Sequence, residues 1–127
     1  MNRIRFDHAH LRSSDPEGMA KWFETMFDAT VTPGPGRIDV ELGGSHFFIS
    51  GNADRVALGA APDHPHLGLD HIGFSATNID DVVADLRRRG VEFAMELSTA
   101  RPGIRVCFIH GPENISIELF ERNPKYA

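Results

Sequence analysis

Apolar positions recur along this chain with two different spacings. Over residues 19–27 and again over 79–86 they lie three or four residues apart, which predicts two amphipathic helices. Elsewhere they alternate with polar positions, which predicts strands that have one buried face. The helical stripes consist of Met19, Phe23, Met26 and Phe27 in the first segment and of Ile79, Val82, Val83 and Leu86 in the second.

The pattern occurs twice. Residues 6–11, Phe-Asp-His-Ala-His-Leu, can be laid over residues 69–74, Leu-Asp-His-Ile-Gly-Phe, so that two Asp-His pairs coincide 63 residues apart. Each segment runs into a polar cluster typical of a helix start, at 13–17 and at 77–81. Both clusters follow the capping rules, the first through Asp15 and Pro16, so each predicts a local helix cap. Gly90 predicts the end of the second helix.

Each predicted helix is followed by a short extended stretch and then by a hairpin. The first hairpin has strands at 37–42 and 46–50 around Gly43 and Gly44, and the second has strands at 104–109 and 115–120 around residues 111–114. Gly and Asn in these turns reach positive φ at little cost. The element order is therefore βαβββ, twice. We expect one α+β domain over 1–127, with modules at about 1–51 and 68–127 and a linker at about 52–67.

Composition narrows the functional classes. A chain of 127 residues fits one domain, and a net charge of −5 disfavours nucleic-acid binding. Without a membrane-length apolar run or a signal-peptide core, we expect a cytoplasmic protein that does not bind a membrane. The single cysteine, Cys107, excludes an internal disulfide and a thiolate zinc cluster. Seven histidines are the unusual feature.

Strand alternation places several of these histidines. His8 and His10 share the face opposite Ala9 and Leu11. By the same rule His71 lies opposite Ile72 and Phe74, and Glu118 lies opposite Ile117 and Leu119. If the two copies curl into one mixed sheet, these four polar side chains converge in a cleft, and two imidazoles with one carboxylate can form a facial triad for a divalent metal. A single strand histidine is more commonly a surface or hydrogen-bonded residue, but the repeated Asp-His pair together with Glu118 favours the metal site.

The chain resembles the vicinal oxygen chelate superfamily, which includes glyoxalase I, bleomycin resistance proteins, fosfomycin resistance enzymes and extradiol dioxygenases. The resemblance lies in residues 6–27, in Asp-His-Ile-Gly-Phe at 70–74 and in the closing hairpin at 108–119 with its Ile-Glu-Leu. It implies two βαβββ modules around a metal-binding cleft, a homodimer, and a divalent ion (Fe, Mn, Zn, Ni or Co). The implied metal ligands are His8, His71 and Glu118.

One position departs from the family pattern. Many members have a fourth ligand late in the first module, where superposing the hairpin places Phe48. This departure counts against a four-ligand site like that of glyoxalase I and leaves two histidines and one glutamate. His46 lies two residues earlier on the same face, so a shift of register in the turn would make it the missing ligand.

The resemblance implies a metal-dependent enzyme acting on a small molecule with vicinal oxygens. His10 is a candidate general base, or otherwise a solvated cavity histidine, and Glu118 is a second candidate proton acceptor. Proton abstraction would give lyase or isomerase chemistry, and Fe(II) would instead give extradiol ring cleavage. The alternative is a metal-free binding protein that sequesters a drug, as bleomycin resistance proteins do. His64 and His66 form an H-x-H that could bind stray metal, but we expect them to be solvated.

Overall fold

The computed structural model describes residues 2–127, which form two compact units, the first ending at Gly59 and the second beginning at Ala60. Each unit contains four strands and one α-helix. The elements of the first unit are β1 (His8–Arg12), α1 (Pro16–Phe27), β2 (Thr30–Gly34), β3 (Arg37–Leu42) and β4 (Ser45–Ser50). Those of the second are β5 (Ile72–Ser75), α2 (Ile79–Arg88), β6 (Phe93–Arg101), β7 (Ile104–His110) and β8 (Ser116–Arg122), with short 3₁₀ turns at Pro112–Asn114 and Pro124–Tyr126.

The strands hydrogen-bond in two four-stranded mixed sheets with the same topology. The order is β1-β4-β3-β2 in the first unit and β5-β8-β7-β6 in the second. The opening strand of each unit pairs in parallel with the last, and the other neighbours are antiparallel. The prediction of an α+β protein built from two βαβββ modules is thereby confirmed. The exact limits of the modules and of the linker stay a prediction.

Helix α1 is fixed mainly by residues next to it in the sequence. The side chain of Asp15 accepts a hydrogen bond of 3.1 Å from the backbone N–H of Gly18, and Pro16 occupies the first turn. Asp28 ends the helix in the left-handed conformation, at φ 58°. The predicted apolar stripe faces the core, where the ring of Phe23 lies 4.7 Å from that of Phe47. Both side chains are buried, as are Met19, Ala20, Val40 and Ile49.

Helix α2 begins differently from the prediction. Asn78 has φ 55° and makes no side-chain cap. Instead the carboxylate of Glu121, from β8, accepts hydrogen bonds of 3.0 Å from the backbone N–H groups of Asn78 and Ile79. The polar cluster at 77–81 thus marks the correct boundary, but the side chain that caps the helix comes from a distant strand. The predicted end at Gly90 is confirmed by its φ of 88°.

The two hairpin turns differ in where they need glycine. Gly43 and Gly44 have φ values of 59° and 84°, as the predicted tight turn requires. In the second hairpin the left-handed residues are Glu113 and Asn114, whereas Gly111 has φ −91°, which corrects the expectation for that glycine. A Cβ at position 111 would lie 2.8 Å from Cδ1 of Ile117, so a larger residue there would force this buried side chain to move.

The segment between β4 and β5 forms neither helix nor strand at residues 51–71. Its second half is attached to the turn of the second hairpin, because Asn114 donates to the carbonyl of Pro62 at 2.7 Å and its own carbonyl lies 2.5 Å from Nε2 of His64. Within residues 2–127, neither helix is long and apolar enough to cross a membrane.

Candidate functional site

The exposed face of the first sheet carries the histidines that alternation places there. In the parallel pairing of β1 with β4, His8 lies beside His46 and His10 lies beside Phe48. Leu11, on the opposite face, is buried. The prediction that His8 and His10 share a face opposite the core is confirmed.

Each Asp-His pair is joined by a hydrogen bond between neighbours in the chain. Nδ1 of His8 lies 2.6 Å from the carboxylate of Asp7, and Nδ1 of His71 lies 2.7 Å from that of Asp70. The bond from His71 holds the pKa of Asp70 below its usual value. Such a bond places the ring proton on Nδ1 and leaves Nε2 as the nitrogen with a free lone pair, which is the arrangement of many metal-binding histidines.

The second unit brings His71 and Glu118 together. Nε2 of His71 lies 3.5 Å from Oε1 of Glu118, and both side chains are partly buried. Glu118 pairs with Gly73 on one side and with Phe108 on the other, and the ring of His71 meets that of Phe108 edge-on at 5.1 Å. His71 itself lies just before β5, which begins at Ile72. An imidazole nitrogen and a carboxylate oxygen at this separation are donors that fit a divalent cation.

The third predicted ligand, His8, belongs to the first unit. Among residues 2–127 no three His, Cys, Asp or Glu side chains form a group that could hold a metal ion. The structure brings His71 and Glu118 together, and the role of His8, His71 and Glu118 as metal ligands stays a prediction.

His10 interacts with a serine that sequence reasoning did not identify. Its Nε2 lies 2.7 Å from Oγ of Ser50, the last residue of β4. Partial desolvation in the cleft lowers the pKa of His10, and the positive charge of Arg12 lowers it further. The signal for Ser50 lies in the alternation of β4, which puts it on the same face as His46 and Phe48.

Phe48 occupies the position that corresponds to Glu118. Phe48 lies beside His10 in the first unit, and Glu118 lies beside Gly73, the counterpart of His10, in the second. The turn between β3 and β4 has the expected register, with Leu42 opposite Ser45. The shift that would have put His46 in this position is therefore absent.

His46 forms a pair of its own. Its Nδ1 lies 3.0 Å from the carboxylate of Asp39, and this hydrogen bond raises the pKa of His46. The neighbouring acid Glu41 accepts from the backbone N–H of Gly44 at 2.9 Å, so it supports the hairpin turn. Asp39 lines a cleft in the first unit, whereas Glu41 is not part of its lining.

This cleft has a volume of about 1000 Å³. Its floor is the exposed face of the sheet, and the segment after β4 forms another part of its lining. The polar side chains that line it include His10, Arg12, Arg37, Asp39, Ser50 and Asp54. The two arginines were not singled out in the sequence, although both lie at cleft-facing positions of the strand alternation.

Comparison with known proteins agrees with the fold. The sequence-family model of the Glyoxalase/Bleomycin resistance protein/Dioxygenase superfamily matches residues 5–119 of this chain. A curated relative, the uncharacterized protein YwkD of Bacillus subtilis, is 26% identical over 93 residues, which are 68% of this chain and 66% of that protein.

Solved structures show the same architecture. The glyoxalase family protein from Enterococcus faecalis has a TM-score of 0.78 and 23% identity, covering 95% of this chain and 100% of that one. TioX from Micromonospora has a TM-score of 0.73 and 14% identity, covering 94% and 99%. At these identities the likeness concerns the fold. Together with the family model, which spans both βαβββ modules, it establishes that the chain belongs to the glyoxalase, bleomycin resistance protein and dioxygenase superfamily.

Proposed function

We propose that this protein is a divalent-metal-dependent enzyme that acts on a small molecule with neighbouring oxygen atoms, through lyase, isomerase or extradiol-dioxygenase chemistry. The observation that carries the proposal is the 3.5 Å approach of Nε2 of His71 to Glu118, with the opposite ring nitrogen bound to Asp70. His8 has the same support from Asp7. His8, His71 and Glu118 are the proposed ligands, and the ion is Fe, Mn, Zn, Ni or Co.

The environment of Glu118 supports its role as a ligand. It lies in β8 between Ile117 and Leu119, both buried, and its own side chain is only 20% exposed. A partly buried carboxylate requires a cation or hydrogen-bond donors for stability. A divalent ion at this site would supply Lewis acidity toward the oxygens of a substrate.

His10 is the proposed proton acceptor. A general base must be unprotonated at the working pH, and burial and the charge of Arg12 keep the pKa of His10 below its ordinary value. The hydroxyl of Ser50 lies 2.7 Å from Nε2 and fixes the ring within the cleft. His10 therefore accepts a proton from a substrate that enters the cleft, and Glu118 is the alternative acceptor.

A second function is supported by the cleft itself. Its volume of about 1000 Å³ lies at the upper end of the range for small-molecule sites. A metal-free protein that sequesters a drug or metabolite could use this space without the triad. The two functions make different predictions about metal: the enzyme needs His71 and Glu118 to bind one, whereas the sequestering protein binds none.

The deciding experiment is elemental analysis of protein purified without an affinity tag, followed by titration with divalent metals. We expect the parent protein to bind metal near one equivalent, and His71→Ala and Glu118→Gln to lose it. Iron would direct substrate screening to ring-cleaving dioxygenation, and the other metals to lyase and isomerase reactions.

Two matched controls make the result specific. Glu92→Gln removes an exposed carboxylate, and His66→Ala removes the H-x-H that could bind stray metal. Both should retain the metal. If the parent takes up no divalent ion, or if the two ligand variants retain it, the enzyme proposal is wrong and the sequestering function is favoured.

We further expect a cytoplasmic homodimer. Size-exclusion chromatography with light scattering would test the oligomeric state, and cell fractionation would test the location.

A further inference from the structure

Two arginines line the cleft of the first unit without a carboxylate partner. Within residues 2–127, neither Arg12 nor Arg37 forms an ion pair. The contact of Arg12 is a 2.6 Å hydrogen bond from Nη1 to the carbonyl of Gly51, which leaves its other N–H donors free. Guanidinium groups with free donors in a concave site are suited to carboxylate recognition.

Arg37 is held in place by an aromatic ring. Its guanidinium carbon lies 3.9 Å from the ring centre of Phe48, which also contacts the ring of His8 at 4.6 Å between centroids. Stacking fixes the guanidinium plane while the N–H groups at its edge stay available. The arginine is therefore oriented before any ligand binds.

The cleft contains two acidic side chains, and within residues 2–127 neither forms an ion pair with Arg12 or Arg37. Asp39 lies in hydrogen-bond contact with His46, at 3.0 Å from its Nδ1. The second acid, Asp54, lies on the segment after β4 and forms no ion pair with Arg12 or Arg37. The rest of the lining includes apolar side chains, among them Pro33, Pro35, Val56 and Leu58. A ligand that fits this lining carries an anionic group next to an apolar body.

We infer that the cleft binds a small organic carboxylate, with Arg12 and Arg37 holding the carboxylate and the apolar wall holding the rest of the molecule. The inference rests on the proposed function only in taking this carboxylate as the substrate. Binding itself requires no metal, so it can be measured on metal-free protein.

The test is an NMR titration of metal-free, ¹⁵N-labelled protein with phenylacetate and with phenylacetamide, its neutral counterpart of nearly the same shape. We expect phenylacetate to shift the signals of cleft residues saturably, and to bind at least about tenfold more tightly than the amide. Arg37→Gln and Arg12→Gln should each weaken phenylacetate binding by about tenfold, on the scale of a lost charge-assisted hydrogen bond. Asp54→Asn should strengthen phenylacetate binding, because it removes a negative charge that lines the cleft and repels the carboxylate of the ligand.

The matched control is Arg122→Gln. Arg122 stacks on Phe120 in the second unit with its guanidinium carbon 4.2 Å from the ring centre, so the variant removes a stacked arginine outside the cleft. It should leave phenylacetate binding unchanged. For every variant, NMR signals of residues away from the substitution that match those of the parent protein would show that the variant is folded. Equal affinity for acid and amide, an equal loss in Arg122→Gln, or no saturable shift overturns the inference. If inorganic phosphate binds as tightly as phenylacetate, the apolar wall does not contribute to binding and the inference is wrong on that point.

Failure of this inference can be separated from failure of the proposed function. His71→Ala should lose metal and keep its response to phenylacetate. A protein that binds phenylacetate but no metal supports the inference and contradicts the enzyme, and one that binds metal but not phenylacetate does the opposite.

Discussion

The carboxylate of Asp70 accepts a hydrogen bond of 2.7 Å from Nδ1 of His71, its neighbour in the chain. The same bond joins Asp7 to His8 in the first unit. Because it fixes the ring tautomer and leaves Nε2 free, this pairing prepares both histidines for a ligand on the other side. In the second unit the group nearest that nitrogen in the proposed site is the carboxylate of Glu118.

Asp70→Asn tests this support directly. The variant keeps the shape of the side chain but removes the charge that orients His71. We expect metal affinity to fall by about 10- to 100-fold, measured by competition with a chelating dye. Asp7→Asn should have a similar effect, and Asp63→Asn, in the segment between β4 and β5, should have none. Unchanged affinity in both paired variants would show that the Asp-His bonds serve local structure alone.

Glu121 should make the stability of the second unit depend on acid pH. Its carboxylate accepts from the N–H groups of Ile79 and Asn78 and from the hydroxyl of Tyr126, and these bonds lower its pKa to about 2 from an ordinary value of 4.5. A carboxyl with a lowered folded-state pKa stabilises the fold above its unfolded pKa. That stabilisation is lost as pH falls from about 4.5 towards 2.

Glu121→Gln removes this charge at every pH. At pH 7 we expect the thermal midpoint to drop by roughly 5 °C, the scale of a lost helix cap in a domain of this size. The difference from the parent protein should shrink as pH approaches 2. Glu92→Gln, an exposed carboxylate, is the control. A constant difference between pH 7 and pH 2, measured by circular dichroism melting, would contradict the linkage.

Asp15 should contribute a local helix cap. Its side chain accepts from the N–H of Gly18 at the start of α1. Asp15→Ala should lower the free energy of unfolding by about 1 kcal/mol, and Asp15→Asn should retain most of it because an amide oxygen can also accept. Urea denaturation measures both, and equal losses in the two variants would show that charge rather than the hydrogen bond is responsible.

Cys107 should be chemically inert in the folded protein. Its side chain is fully buried in β7, and burial raises the pKa of its thiol to about 11. The thiolate is the form that attacks the disulfide of Ellman's reagent and releases its coloured thiolate, so at pH 8 Cys107 should react only after denaturation. Rapid reaction in native buffer would mean that this strand opens readily.

The two helix starts show why part of the fold could be predicted and part could not. The cap of α1 comes from Asp15, three residues before the donor it binds, and local rules identify it. The cap of α2 comes from Glu121, more than 40 residues away, and no local rule connects that residue to Ile79. The polar residues at 77–81 indicated the position of the boundary but not the group that satisfies it.

The sequence by itself determined the two βαβββ modules and the strand faces on which His8, His10 and Glu118 lie, because helical and strand periodicities are local properties of the chain. Tertiary structure decided which groups actually meet. It placed Ser50 against His10, Arg37 on Phe48 and Glu118 near His71, and it put Phe48 rather than His46 in the position equivalent to Glu118. These contacts depend on strand register and on side-chain packing between segments far apart in sequence, which no local pattern specifies.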